Sequence, residues 1–187
     1  MIQKFENISS VKGELKLSGD KSISHRAVMF GAMANGVSVI TNCSKAEDVA
    51  STMDCFTRLG VEFEREGDSI IIHGKGLNGF KKPLEVLYAG NSGTTTRLIS
   101  GILCAQNFET TITGDESLSS RPMMRIVEPL SLMGAQIKAS DKGTLPINIF
   151  PSKELKAVDY KLKVASAQVK SAMLLAGLHI NEVTSIT

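Results

Sequence analysis

The first chemical feature of the sequence is the run Gly19-Asp20-Lys21-Ser22, which leads from an apolar segment into a helical pattern. A glycine turn that enters a helix brings free backbone N–H groups and the positive end of the helix dipole to one place. Arg26 follows Ser22 by four residues and therefore shares its helix face. The run predicts a site for a phosphate or a carboxylate. The alternative is that Ser22 only caps the helix while Lys21 and Arg26 face water.

A second loop with related chemistry, AGNSGTTTR, occupies residues 89–97. Its glycines allow the backbone to approach a ligand, and its hydroxyl groups and the Asn91 amide can donate to oxyanions. It is not a Walker A loop, because no Gly-Lys-Ser/Thr follows at the required spacing. An ordinary glycine-rich turn is the alternative, but such a turn requires neither four hydroxyl residues nor Arg97.

Two further segments carry anion-binding side chains. Residues 165–170 read Ala-Ser-Ala-Gln-Val-Lys, and Arg121 lies between Ser120 and Pro122. We predict that a helix begins near Arg121 with Pro122 in its first turn, which would hold the guanidinium rigidly for a bidentate contact. Arg125 is expected to face water.

The other ionisable residues give weaker evidence of a functional site. His25 is either a ligand contact or a surface or half-buried histidine. The sequence contains no Ser-His-Asp pattern and no metal-ligand spacing, so no metal site is expected. The loops therefore predict anion binding without an evident general acid or base.

Composition excludes several classes of protein. The 187 residues are 42% hydrophobic and 21% charged, as in a folded α/β protein, and the net charge of +2 predicts neither a nucleic acid nor a membrane as partner. The three cysteines lack CxxC spacing, and the N-terminus lacks the apolar core of a signal peptide. We therefore expect buried thiols in a cytoplasmic protein.

Three stretches share one outline and end in Ile-Thr, at Thr41, Thr113 and Thr187, which are 72 and 74 residues apart. Each period predicts a βαβαββ unit. Opening strands are expected at 14–18, 85–89 and 160–164, and first helices at 24–34, 95–105 and 169–178. Second helices are expected to begin near Glu47 and near Arg121. Closing strands are expected at 61–65, 68–73, 135–139 and 145–150.

The two helix types are predicted to occupy different places. The first helices are apolar on most faces and rich in small residues, so we expect them inside, whereas the second helices carry one apolar stripe and should lie outside. The third unit stops after its crossover strand, which predicts a fragment of a longer protein.

The segments GDKSISHR, AGNSGTTTR, SSRP and SAQVK, in this order at the unit junctions, resemble the N-terminal half of the 5-enolpyruvylshikimate-3-phosphate synthase family. The GDKS and SAQVK forms are similar to its class II members. The resemblance implies an inside-out α/β prism made of βαβαββ units, with units at about 21–80, 81–152 and 153–187 (truncated). It also implies that residues 1–20 form strands that pair with an absent C-terminal lobe.

The resemblance implies transfer of the enolpyruvyl group of phosphoenolpyruvate to the 5-hydroxyl of shikimate 3-phosphate, with release of phosphate and without metal or organic cofactor. This step belongs to chorismate and aromatic amino-acid biosynthesis, and the family is the target of glyphosate. The acid and base residues would lie in the missing lobe, so the fragment alone is expected to be inactive. The complete enzyme is expected to be a cytoplasmic monomer.

The resemblance also assigns the substrate contacts. Those to shikimate 3-phosphate are Lys21, Ser22, Arg26, Ser166, Ala167 and Gln168. Those to phosphoenolpyruvate are Lys21, Asn91, Gly93, Arg121 and Gln168, with Lys21 as the catalytic residue. Ala167 replaces a second serine of some members, so any contact there would use the backbone.

Two other functions fit the residues. One is the related UDP-N-acetylglucosamine enolpyruvyl transferase, which usually has Lys-Asn in the first loop and a reactive loop cysteine, neither of which matches here. The other is a non-catalytic, anion-binding repeat module.

Overall fold

Helices and strands alternate along the chain in the computed structural model, which describes residues 3–187. The first seventy-five residues contain α1 (Lys21–Met33), β1 (Asn35–Thr41), α2 (Glu47–Arg58), β2 (Glu62–Glu66) and β3 (Ser69–Lys75). Then follow β4 (Leu87–Tyr88), α3 (Gly93–Leu103), β5 (Thr110–Thr113), α4 (Glu116–Ser119), α5 (Met124–Leu132), β6 (Gln136–Lys138) and β7 (Ile147–Phe150). The last elements are β8 (Asp159–Tyr160), α6 (Ala167–Gly177) and β9 (Ser185–Ile186).

The strands form three separate sheets, one for each sequence repeat. The first is antiparallel in the order β1-β3-β2, the second has the order β4-β5-β7-β6, and the third pairs β8 with β9. The pairs β4–β5 and β8–β9 are parallel. The second repeat thus has the predicted βαβαββ order, with α4 as an additional short helix.

The predicted opening strands are wrong or too long. Residues 14–18 form no strand, and the side chains of Leu15 and Leu17 are 87% and 76% exposed. A strand needs a neighbour to accept its hydrogen bonds, and within the described chain none lies beside this segment. The other two opening strands are reduced to the two-residue strands β4 and β8.

The prediction of internal first helices is confirmed for α3 only. Every residue of α3 except Thr94 is buried, because this helix contacts α1, α2, α6 and β5. Helices α1 and α6 each leave one apolar face open, where Phe30 is 52% and Leu174 is 44% exposed. The sheet nearest in sequence to α6 consists of only two short strands.

The second helices lie outside, as predicted. Helix α2 buries Val49 and Phe56 and exposes most of its charged residues, and α5 buries Ile126 and Leu130. The predicted start of the second of these helices is wrong, because α5 begins at Met124 and Arg121 precedes it. Cys43, Cys55 and Cys104 are free and buried, as expected. None of the helices within residues 3–187 has the length and apolar character needed to cross a membrane.

Helices α3 and α6 pack in direct backbone contact at Gly101. A β-carbon added at Gly101 would lie 2.0 Å from the carbonyl oxygen of Ala172, far inside van der Waals contact. Only glycine permits this approach. The contact brings the beginnings of the two helices into the same region, where the candidate site lies.

We expect Gly101→Ala to reduce the free energy of unfolding by about 1–3 kcal/mol, because the added methyl group forces the two helices apart. Denaturant unfolding of the complete protein measures this. Gly177→Ala is the matched control, since its β-carbon would meet nothing closer than 3.7 Å. Equal stability of the two variants would contradict the close packing.

Candidate anion-binding site

The N-termini of α1, α3 and α6 are each capped by the side chain of the residue that precedes the helix. Asp20 Oδ1 accepts from the backbone N–H of Ile23 at 2.7 Å, Ser92 Oγ accepts from Thr95 at 3.1 Å and Ser166 Oγ accepts from Val169 at 3.4 Å. The alternative in which Ser22 caps α1 is therefore wrong. Ser22 lies exposed in the first turn of α1, where its hydroxyl can face a ligand.

Lys21 is held at the start of α1 by a carboxylate from α2. Its ammonium nitrogen lies 2.9 Å from Asp48 Oδ2, and the side chains are 52% and 29% exposed. Lys21 is thus neither free in solvent nor buried. Asp48 did not emerge from the sequence, because the pairing joins residues 27 positions apart in different helices.

Arg26 connects α1 to α6. Its Nη1 donates to the Ser22 carbonyl at 3.1 Å, and its Nη2 donates to Ser171 Oγ at 2.9 Å. The alternative that Arg26 only faces water is therefore wrong. This bond brings the first and third predicted loops together, one helical turn below their N-termini.

Arg121 lies in the turn between α4 and α5, against the second loop. Its guanidinium donates to the Asn91 side-chain oxygen, to the Asn91 carbonyl at 3.4 Å and to Ser117 Oγ at 3.3 Å. Asn91 in turn donates from Nδ2 to Asp115 Oδ2 at 2.7 Å. Arg121 is held by hydrogen bonds rather than by a helical first turn, whereas Arg125 is exposed as predicted.

Arg97 is a buried cation beneath the second loop. Arg97 is only 6% exposed, and its Nη1 donates to Gln168 Oε1 at 2.8 Å. No carboxylate of residues 3–187 lies within ion-pair distance of it, and its Nε has no partner there. Burial, followed by the nearby charges of Arg125 and Arg121, lowers the pKa of this guanidinium. An anion close by would compensate the uncovered charge.

Gln168 is oriented by this arginine. Because Oε1 accepts from Arg97, Nε2 is the donor end of the amide; one of its two N–H groups donates to Thr94 Oγ1 at 3.1 Å. Gln168 therefore presents N–H groups toward the start of α3, which suits an anionic ligand. Ala167 is exposed as the first residue of α6. Its backbone N–H is among those without a partner inside the helix.

Gly93 provides the space that joins these groups. A β-carbon there would lie 2.7 Å from Arg97 Nη1 and 3.5 Å from Arg121 Nη1. Both guanidinium groups therefore border the start of α3, where the helix dipole is positive. The arrangement concentrates positive charge and N–H donors, and it can bind a phosphate or carboxylate group.

His25 belongs to a buried network and not to the ligand surface. It is 0% exposed, its Nδ1 lies 2.7 Å from Thr52 Oγ1, and Thr52 Oγ1 lies 2.7 Å from Thr95 Oγ1. Burial lowers its pKa to about 4, so the ring is neutral at pH 7. The network links α1, α2 and α3 below the site.

The structure brings together most of the residues that the sequence singled out. One cluster contains Asn91, Gly93, Arg121 and Gln168, and the other contains Lys21, Ser22 and Arg26 at the start of α1. The carbonyl of Asp48, which accepts from Thr95 Oγ1 at 3.2 Å, connects the two. Sequence reasoning missed Asp48 and Asp115. Within residues 3–187, no group of three or more His, Cys, Asp or Glu side chains could hold a metal ion.

Comparisons with known proteins identify one family over nearly the whole chain. The family model described as EPSP synthase (3-phosphoshikimate 1-carboxyvinyltransferase) matches residues 5–187. The chain is 52% identical to a 3-phosphoshikimate 1-carboxyvinyltransferase from Lactococcus lactis subsp. lactis (strain IL1403), over 96% of this chain and 42% of the relative. It is 54% identical to the protein of that name from Vesicomyosocius okutanii, over 95% of this chain and 41% of the relative.

The fold is similar to solved structures of the same name. An EPSP synthase from Acinetobacter baumannii superimposes with a TM-score of 0.90 at 49% identity, covering 94% of this chain and 40% of that protein. The chain therefore has an α/β fold of this type. It spans about two fifths of the length of the relatives that it matches.

Proposed function

The chain belongs to the EPSP synthase family, and we propose that the complete protein containing it transfers the enolpyruvyl group of phosphoenolpyruvate to shikimate 3-phosphate. Phosphate is the second product. The observation that carries the proposal is the placement of Arg97 and Arg121 beside Gly93, with Gln168 presented to the same place. Two anionic substrates require such a concentration of donors.

We assign the two clusters to different substrates. Asn91, Gly93, Arg121 and Gln168 would surround phosphoenolpyruvate, and Ser22, Arg26, Ser166, Ala167 and Gln168 would hold shikimate 3-phosphate. Lys21 lies at the start of α1 with its ammonium group exposed on one side, so it can contact both. Phosphoenolpyruvate and glyphosate are both anionic, and we propose that they compete for the Arg121 cluster.

We further propose that residues 3–20 pair with the remainder of the protein. The apolar side chains of this segment are almost fully exposed; they are Phe5, Ile8, Val11, Leu15 and Leu17. Such a row of apolar residues is stabilised when another sheet covers it. The matched relatives are long enough to provide a second lobe.

The proposed function is tested by incubating the complete protein with phosphoenolpyruvate and shikimate 3-phosphate, and measuring phosphate release. A parallel reaction contains UDP-N-acetylglucosamine as the acceptor. Release with the first acceptor only supports the proposal. Release with the nucleotide sugar only would assign the protein to the other transferase, and release with neither would indicate an anion-binding module.

Replacing Arg121 with Lys is expected to raise the Michaelis constant for phosphoenolpyruvate by about tenfold or more, since a single ammonium group cannot reproduce the planar fork with which the guanidinium reaches Asn91, Ser117 and an anion. Steady-state kinetics with each substrate varied in turn measure this. Arg125→Lys is the matched control, because Arg125 is an exposed arginine one turn away. An effect on the shikimate 3-phosphate constant alone would show that Arg121 serves the other substrate.

A further inference from the structure

Asn91 accepts two of the three side-chain hydrogen bonds that hold Arg121 in place. Its guanidinium donates to the side-chain oxygen and the carbonyl of Asn91 in the second loop, and to the hydroxyl of Ser117 in α4. An exposed arginine without such partners samples many rotamers, which weakens any ligand contact by the entropy of ordering it. The orientation of the Asn91 amide therefore decides where the guanidinium points.

The Asn91 amide is in turn oriented by Asp115. Asp115 Oδ2 accepts from Asn91 Nδ2 at 2.7 Å, so the amide oxygen must face Arg121. A second contact ties the same two segments, because the backbone N–H of Asp115 donates to the Gly90 carbonyl at 2.9 Å. Asn91 thus has both polar ends of its side chain engaged within the protein.

We propose that Asp115 is a positioning residue for the enolpyruvyl transfer: by fixing the Asn91 amide, it aims the Arg121 guanidinium at phosphoenolpyruvate. The inference rests on the proposed function. In this arrangement Asn91 supports Arg121 with its side-chain oxygen and commits one N–H to Asp115, which leaves its second N–H for the ligand. The carboxylate of Asp115, the amide of Asn91 and the guanidinium of Arg121 then form a chain of hydrogen bonds that ends at the anion.

A purely structural role for Asp115 is the competing explanation, because Asp115 also caps α4. The two carboxylate oxygens have separate partners: Oδ1 accepts from the Leu118 backbone N–H at 2.7 Å, and Oδ2 accepts from Asn91. The hydrogen bond from Asn91, followed by that from Leu118, lowers the pKa of Asp115, so the group is ionised at neutral pH. A substitution can therefore remove one function and keep the other.

The decisive variant is Asp115→Asn in the complete protein. An asparagine oxygen still caps α4, but its NH2 group would face the NH2 group of Asn91, so the amide of Asn91 turns or moves. We expect the Michaelis constant for phosphoenolpyruvate to rise about tenfold, with the constant for shikimate 3-phosphate and the thermal unfolding midpoint nearly unchanged.

The sign of the change separates positioning from simple electrostatics. Removing a negative charge beside an anion site should by itself tighten anion binding. Glu116→Gln is the matched control for this charge effect, because Glu116 is exposed in the same helical turn. It is expected to leave the constant for phosphoenolpyruvate unchanged or lower it. An Asp115→Asn variant that behaves like Glu116→Gln would overturn the proposal, as would a loss of thermal stability with equal effects on both substrates.

A double-mutant cycle tests the route through Asn91. In an Asn91→Ala background, Asp115→Asn should have no further effect on phosphoenolpyruvate, whereas independent effects would add and would overturn the route. Titration calorimetry with phosphoenolpyruvate gives the same comparison without turnover. If the wild-type protein binds phosphoenolpyruvate but does not consume it with shikimate 3-phosphate, the proposed function fails while the role of Asp115 is still decided.

Discussion

Replacing Lys21 with Ala in the complete protein is expected to lower turnover by about a hundredfold or more. The ammonium group lies at the N-terminus of α1, where it adds to the helix dipole, and Asp48 holds it there at 2.9 Å. A preoriented positive charge between two anions stabilises charge without the reorganisation that water requires.

The loss of Lys21 has a second consequence. Asp48 would lose its ion-pair partner, and its carboxylate would then repel the incoming phosphate groups. We therefore expect the Michaelis constants for both substrates to rise together with the fall in turnover.

Steady-state kinetics with both substrates measure the effect of Lys21→Ala. Lys45→Ala is the matched control, since Lys45 is a largely exposed lysine of the same repeat whose carboxylate partner is 3.9 Å away. It should behave like the wild-type protein. Near-normal turnover and Michaelis constants in Lys21→Ala would remove Lys21 from the proposed site.

The 187-residue chain by itself is expected to release no phosphate from the two substrates. Proton transfer to the methylene carbon of phosphoenolpyruvate, and from the attacking hydroxyl, needs an acid and a base within hydrogen-bond reach. The acids beside the proposed site have other roles: Asp48 is paired with Lys21, Asp20 caps α1, and Asp115 has a lowered pKa. His25 is buried and neutral, so it is a poor proton donor to a ligand.

Weak binding of shikimate 3-phosphate by the isolated chain is expected through Lys21, Ser22, Arg26, Ser166 and Gln168. A second lobe could not close over the ligand, so the charges would stay screened by water. Following the backbone amide shifts of the three loops during a titration, together with a phosphate-release assay, tests both statements. The complete protein is the positive control. Turnover by the isolated chain well above background would show that it carries its own acid and base.

Local patterns determined much of the fold. The three helices that begin after small-residue loops, the outer helix α2 with its apolar stripe, and the antiparallel strands β2 and β3 all agree with the sequence periodicity. These features depend on residues within a few turns of each other, so a single sequence is sufficient to predict them. The opening strand at residues 14–18 could not form from pattern alone, since a strand also requires a neighbour.

The types of the site residues were also readable from the sequence. Glycine turns, hydroxyl groups and basic side chains at helix starts indicate an anion site by local chemistry alone. Arg121 was identified for its residue type, but its predicted place in the first turn of a helix was wrong. The chain makes the short helix α4 first and begins α5 only at Met124.

Only the tertiary structure decided how those residues are held. Asp48 reaches Lys21 from another helix, Asp115 reaches Arg121 through Asn91, and the buried Arg97 reaches Gln168 across 71 residues of sequence. Hydrogen bonds of this kind depend on distances between side chains that the fold brings together, and spacing along the chain carries no signal for them. The sequence by itself therefore predicted an anion site at these helix N-termini. The packing of α3 against α6, close enough for Gly101 to meet the Ala172 backbone, places Arg97 and Gln168 within hydrogen-bond reach of each other.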